Sequence, residues 1–279
     1  MHPCHHLPVA GTLFLVGTPI GNLGDMTDRA REILGAVDLV AAEDTRRTGM
    51  LLKRLGIEAR MRSVHDANER ERTTELLGAL RGGADVAVVS DAGMPGLSDP
   101  GFRLVRACID AGIEVRVVPG PSAAVAALVV SGFPTDRFVF EGFLPRRAGE
   151  RRARLEALGA ERRTIVLFES PRRVGATLEV AMGVLGDRRV AVARELTKLH
   201  ESVARGRISE VLPHLGAVRG EVVIVVEGAS DTGPADLEPL VREARALVEG
   251  GLRKREAAAR VGRRWHVSAN ELYRALVEE

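Results

Sequence analysis

The sequence predicts an α/β protein with two sheet-centred lobes, followed by a small all-helical C-terminal domain. Three observations carry this reading. Short valine-rich runs alternate with segments whose apolar residues recur at helical spacing, from Thr12 to Pro119 and again after Gly120. Glycine- and proline-rich loops follow several of those runs directly, as loops at the carboxyl ends of parallel strands do. Beyond Gly228 the alternation stops and only helical periodicity remains.

In order, strands are expected at 13–16, 39–42, 86–90 and 115–118, with helices at 27–34, 46–55, 70–80 and 102–111. This pattern reads as a parallel sheet covered on both faces. The second lobe is expected to run helix 122–130, strand 138–141, helix 151–158, strand 164–168, helix 174–184 and strands 190–193 and 221–226. A cleft should separate the lobes, which join near Gly120. The implied divisions are a disordered tail at 1–11, an N-terminal lobe at 12–119 and a C-terminal lobe at 120–228. A small, polar, proline-containing linker follows at 229–238, then the helical domain at 239–279. Its helices are expected at 239–249, 254–264 and 268–277. Ser268 and Glu271 form a capping box, and the turn around His266-Val267 suggests a helix-turn-helix unit.

Composition narrows the function. Hydrophobic residues make up 45% of the 279 residues but aromatic ones only 3%, so the core is built of alanine, valine and leucine. Cys4 and Cys108 lie far apart and fit no disulfide or metal framework, which favours a reducing compartment. No apolar run reaches the ~18 residues of a membrane helix, and the N-terminus lacks a signal-peptide pattern. A cytoplasmic protein with no membrane partner is expected. His2, Cys4, His5 and His6 belong to the tail, where they could bind a metal only adventitiously; no metal site is expected. A formal charge of +2 does not demand a polyanionic partner. Lys53, Lys198 and Lys254 are the only lysines. A GC-rich coding bias accounts for the arginine excess, although guanidinium forks also suit phosphates.

The loops carry the chemistry. GTPIGNLGD at 17–25 has neither Rossmann nor Walker spacing. Glu43, Asp44, Arg46 and Arg47 follow the second strand. They form either a solvated ion-pair cluster, the commoner outcome at a helix start, or a set that orients a hydroxyl beside a phosphate. In SDAGMPGLSDPG at 90–101, glycines let the backbone approach a ligand while prolines hold the loop. PGPSA at 119–123 is either a hinge with Ser122 near the N-cap or a carboxylate-binding helix start. FESPRR at 168–173, RELTKLHE at 194–201 and GE…VVEG at 220–228 each bound an apolar strand. They are expected on one rim of the second sheet, facing the first lobe. His200 alone reads as a surface histidine.

Taken together and in order, these loops resemble the tetrapyrrole-methylase-like family of S-adenosylmethionine enzymes. Within it they resemble the ribosomal RNA small-subunit methyltransferase I group, which methylates a ribose 2′-hydroxyl. AEDTR at 42–46 and the extended SDAGMPGLSDPG separate that branch from true tetrapyrrole methylases, whose corresponding loop is usually GDP-like. The resemblance covers about 12–228, and the C-terminal helices match the small domain that the RNA enzymes carry. It implies the two-lobed tetrapyrrole-methylase-like (class III) fold, a homodimer, and S-adenosylmethionine in the interlobe cleft. The cofactor would touch Pro19, Asp91, Ala92, Gly93, Ser122, Ala123, Phe168 and Leu196. The reaction implied is 2′-O-methylation of a cytidine in the decoding region of 16S ribosomal RNA, within an assembled small subunit.

Asp44 and Glu43 are then the first candidates for the general base, with Glu195 behind them. Lys198 would act as a base if its pKa were depressed, or else bind a phosphate. Arg46 and Arg172 would position the RNA backbone. Arg253, Lys254 and Arg255, with Arg260, Arg263 and Arg264, would grip RNA or simply form a solvated face. Arg146, Arg147, Arg151, Arg152 and Arg154 suggest a mobile flap over the cleft. The alternative is a methyltransferase of a tetrapyrrole or other small molecule, which has little use for basic helices. A non-enzymatic nucleic-acid-binding protein would leave the loops unexplained.

Overall fold

In the computed structural model, which describes residues 10–216, 218–229, 237–265 and 269–277, two sheets and a helical module account for the chain. The first sheet contains β1 (Leu13–Val16), β2 (Leu39–Ala42), β3 (Met61–Ser63), β4 (Val86–Val89) and β5 (Val115–Val118). Its order is β3-β2-β4-β1-β5 and every pairing is parallel. Successive side chains of a strand face opposite ways, and the core divides accordingly. Val40, Ala42, Ala87 and Val89 pack under α1 (Asp28–Ala36) and α2 (Thr45–Leu55). Ala41, Val86 and Val88 pack under α3 (Glu69–Arg81) and α4 (Phe102–Asp110). Burial on both faces explains why these strands read as unbroken apolar runs.

The second lobe comprises α5 (Ala123–Ser131), β6 (Phe138–Phe143), α6 (Ala148–Ala157), β7 (Thr164–Glu169), α7 (Val174–Leu185), β8 (Arg189–Arg194), β9 (Ser202–Arg207), α8 (Ile208–Val211) and β10 (Val222–Val226). The sheet order is β6-β7-β10-β8-β9. Only β6 and β7 pair in parallel; β10 runs antiparallel to both β7 and β8. Helix α5 covers one face through Ala124, Ala127 and Leu128. Helices α6, α7 and α8 cover the other through Leu155, Leu178 and Ile208.

Several expectations need correction. The short edge strand β3 and the exposed, largely polar β9 (SVARGR) were not anticipated from the sequence pattern. Because β10 is antiparallel, Gly220-Glu221 meets the rim where β7 and β8 end, while Glu227-Gly228 lies at the opposite rim. The basic stretch is no flap, since Arg151 is buried and α6 packs through Leu155 into the core. Arg147 pairs with Glu150, Arg152 with Glu156 and Arg154 with Glu141. Gly11, placed in the tail by sequence, is buried and donates its amide to the Leu80 carbonyl at 2.8 Å.

The module contains α9 (Leu237–Glu249), α10 (Lys254–Trp265) and α11 (Ala269–Val277), closed around Val241, Ala244, Ala257, Ala258, Val261, Leu272 and Leu276. The expected turn at His266-Val267, the Ser268–Glu271 capping box, the linker from 230 to 236 and the His-containing tail lie outside the described residues. Among the described residues, no helix is long and apolar enough to cross a membrane.

Candidate active site between the lobes

Parallel pairing brings the loops after β1, β2, β4 and β5 to one edge of the first sheet. The rim formed by the ends of β6, β7 and β8 and the start of β10 faces them across a cavity of about 480 Å³. Thr18 and Gly93 exchange backbone hydrogen bonds at 2.9 and 3.1 Å, pinning the first loop to the third. Gly17 and Gly120 cross backbone to backbone: a Cβ on Gly17 would stand 2.6 Å from Gly120 Cα. The lobes also touch where Gly21 presses on Lys198, whose Cγ lies 2.4 Å from a Cβ built there. Among the described residues, the non-glycine positions with left-handed φ are Ser98, Glu195 and Thr197. Ser98 lines the cavity, and the other two flank Leu196, which also lines it. Such strain persists only where surrounding structure enforces it, and it clusters at functional sites.

The walls differ in character. Ile20, Phe143, Phe168 and Leu196 supply an apolar side, with the Phe143 and Phe168 ring centroids 5.5 Å apart. Glu43, Asp91 and Asp99 supply an acidic one. The Asp91 amide donates to Glu43 Oε2 at 3.4 Å, and Arg47 Nη1 reaches Asp91 Oδ2 at 3.1 Å. Burial, reinforced by neighbouring carboxylates, raises the Glu43 pKa above its ordinary value. The same cause, with the Glu43 charge next, pushes Asp99 up to about 6. Glu169, fully buried, holds the opposite rim by pairing with Arg173 at 2.6 Å and accepting from the Thr177 hydroxyl at 2.7 Å. Ser122 caps α5 in extended conformation, but its hydroxyl is buried and makes no hydrogen bond.

The family model for Tetrapyrrole (Corrin/Porphyrin) Methylases matches residues 12–212. Ribosomal RNA small subunit methyltransferase I of Escherichia coli O157:H7 is 44% identical over 274 residues, 96% of each chain. The protein of that name from Synechocystis sp. is 46% identical over 96% of this chain and 98% of its own. The chain belongs to the tetrapyrrole methylase family. A Thermotoga maritima relative, also named ribosomal RNA small subunit methyltransferase I, is 50% identical over 78% of this chain and 99% of its own. Among solved structures, the methyltransferase CobJ superposes with a TM-score of 0.61 at 20% identity, covering 81% of this chain and 98% of that one. Uroporphyrin-III-C-methyltransferase from Thermus thermophilus superposes at 0.57 with 23% identity, covering 78% and 94%. These two likenesses speak for the fold.

Within this methylase-family fold, Asp91, Ala92, Gly93, Ser122, Ala123, Phe168 and Leu196 line the cavity together with Glu43. From the first loop it is Ile20, rather than the expected Pro19, that stands among the lining residues. Asp44 is diverted elsewhere. It caps α2 by accepting the Arg46 amide at 2.9 Å and pairs with the Arg46 guanidinium at 2.8 Å, which holds its carboxyl far below the ordinary carboxylate range. A carboxylate so stabilised is a poor base, and Arg46 is correspondingly engaged. Lys198 does not have the depressed pKa that a base would require. Burial works to lower it, but hydrogen bonds to Glu195 at 2.9 Å and Glu221 at 3.1 Å outweigh burial and raise it. The Lys198 ammonium in turn lowers Glu195, which also accepts the Glu221 amide. Arg172 is exposed at the start of α7. Arg253 and Arg255 are exposed on the module, whereas the Lys254 ammonium donates to the Leu276 carbonyl and ties α10 to α11. Asp99 and Glu169 were missed. The only signal for Asp99 was its place at the end of the long glycine-proline loop, in a segment already crowded with short polar residues.

Proposed function

We propose that this protein transfers a methyl group from S-adenosylmethionine to the 2′-oxygen of a cytidine ribose in small-subunit (16S) ribosomal RNA. The decoding region is the proposed target, and the assembled small subunit in the cytoplasm the proposed substrate. The observation that carries the reading is the interlobe cavity, with an apolar wall facing desolvated carboxylates, in a chain whose relatives are named for methylating that RNA. The AEDTR and SDAGMPGLSDPG motifs support the ribose-directed branch.

The cavity fits the methyl donor. The unpartnered Ser122 hydroxyl offers a hydrogen bond beside the free amides that open α5. Asp91, Ala92 and Gly93 bring backbone groups to one side, and Ile20, Phe168 and Leu196 close the other. When bound, S-adenosylmethionine supplies a methyl group on a sulfonium that is already a good electrophile. This chain's task is then alignment, worth several orders of magnitude, and acceptance of the ribose hydroxyl proton, worth roughly 10²–10⁴. Glu43 and Asp99 take that second role, because burial makes them stronger bases than solvated carboxylates. Arg47 steadies Asp91 beside them. Lys198 stays charged and anchors the turn that presents Leu196. Arg172 and the basic α10 meet RNA phosphates. A homodimer agrees with the exposed apolar residues Val125 and Val129 of α5 and Val117 of the edge strand β5.

The deciding experiment is methyl transfer from labelled S-adenosylmethionine to small subunits from a strain lacking this gene. Label in RNA, mapped to one ribose by resistance to alkaline cleavage, is the expected result. Donor binding without transfer to RNA would redirect the search to tetrapyrroles and other small molecules.

A further inference from the structure

The chain has a single tryptophan and a single tyrosine in an aromatic content of 3%. Both sit in the helical module: Trp265 ends α10 and Tyr273 lies in α11. The module's core is alanine, valine and leucine, so neither ring is needed to fill it. Both are turned outward instead, with Trp265 51% and Tyr273 37% exposed. Each ring carries a guanidinium. Arg264 Cζ stands 5.5 Å from the Trp265 centroid and Arg255 Cζ 5.9 Å from that of Tyr273. The tryptophan is also fixed in orientation. Its Nε1 donates to Glu243 Oε2 at 2.7 Å, and Arg264 pairs with Glu243 Oε1 at 3.1 Å, so one carboxylate of α9 holds ring and arginine together. Around them the segment from Arg253 to Arg264 contains six basic residues and one acidic residue.

We propose that the module binds unpaired RNA nucleotides by stacking their bases on Trp265 and on Tyr273 while the neighbouring arginines meet the phosphates. The proposal rests on RNA being the substrate and adds how the module selects it. A surface that only neutralises phosphates needs no rings and accepts duplex and single strands alike. An exposed ring beside a guanidinium offers a π-face that only an unstacked base can use. Ordering the ring in advance lowers the entropy lost on binding. Arg255 and Arg264 stand nine residues apart on α10, two and a half turns, so the Tyr273 pair beside α11 and the Trp265 pair beside α9 are two separate stacking positions.

Because Trp265 is the only tryptophan, its fluorescence in the full-length protein reports this one position. The titrants are an oligocytidylate of about 12 nucleotides and an RNA duplex of matched length. The single strand is expected to quench the fluorescence and bind more tightly than the duplex. By anisotropy of a labelled oligonucleotide, Trp265→Ala and Tyr273→Ala should each weaken single-strand binding by roughly 5–100-fold, leaving duplex binding nearly unchanged. Trp265→Phe, which keeps a stacking face, should restore most of the loss. Equal affinity and quenching for the two RNAs, or unaltered single-strand binding in both alanine variants, would overturn the stacking proposal. Either result leaves the methyl-transfer reading intact, since labelled transfer to subunits tests that separately.

Discussion

Asp44 caps α2 and pairs with Arg46, whereas Glu43, one residue earlier, turns into the cavity beside Asp91. Two adjacent carboxylates are thus separated by helix geometry: the cap is ionised and spoken for, and the cavity residue is desolvated. Asp99 shares that desolvated space, and its elevated pKa is a statement about stability. A carboxyl with a higher pKa in the folded chain than in the unfolded one favours folding most when protonated. That contribution is fully present below the ordinary value of 3.8 and is lost as pH rises through about 6. Asp99→Asn stays neutral throughout, so its urea midpoint should gain on the parent as pH rises between those values and hold a constant lead above them. A lead that shrank with rising pH would refute the assignment. The same variant should lose methyl transfer by about tenfold or more if Asp99 accepts the ribose proton. Lys198 answers differently. Lys198→Met leaves Glu195 and Glu221 facing one another without their shared cation, and because this cluster is open to solvent the cost in urea unfolding should be about 1 kcal/mol or less. A methionine that raised stability would refute the pairing of Lys198 with these two carboxylates.

Where β1 and β5 end, the first and fourth loops cross at Gly17 and Gly120 with no room between their backbones. A Cβ on Gly120 would stand 2.8 Å from Gly17 Cα. Gly120→Ala should therefore cost about 3 kcal/mol in a urea melt and weaken binding of the methyl donor. Gly35→Ala in α1 makes the contrast. A Cβ there meets nothing within 4 Å, so the exchange should be neutral or gain up to about 1 kcal/mol. Equal effects at the two glycines would deny that the crossing is tight. The loops were legible in the sequence for this same reason, since backbone crossings and ligand loops demand residues that other segments avoid. Buried strands such as β4 and β10 were legible because both faces are covered and every residue is apolar. Strand β9 was not, because as an exposed edge strand it alternates weakly and reads SVARGR. The direction of β10 was hidden too, since a period of two is the same in parallel and antiparallel strands. Its far end, Glu227-Gly228, was consequently placed on the wrong rim. Which of Glu43 and Asp44 enters the cavity depended on where α2 starts, a matter of one residue that helical periodicity does not resolve.

Two lobes share one cavity, and the module packs around a core of its own. The Thermotoga maritima relative is matched along 99% of its length by 78% of this chain, so about a fifth of this chain has no counterpart in it. A chain ended at Ala229 should therefore fold, keep its urea midpoint and bind the methyl donor as the parent does. What it should lose is its grip on RNA. Exposed basic residues of the module, Arg253 just before α10 and Arg255 within it among them, would no longer displace counterions from phosphates. The logarithm of the RNA binding constant falls linearly with the logarithm of salt concentration, with a slope of about −0.7 per neutralised phosphate on single strands. Loss of three or more contacts should flatten that slope by roughly 2 and weaken binding most at low salt. An unchanged slope in the shortened chain would move the phosphate contacts to the body, leaving Arg172 at the cavity rim as the first arginine to replace.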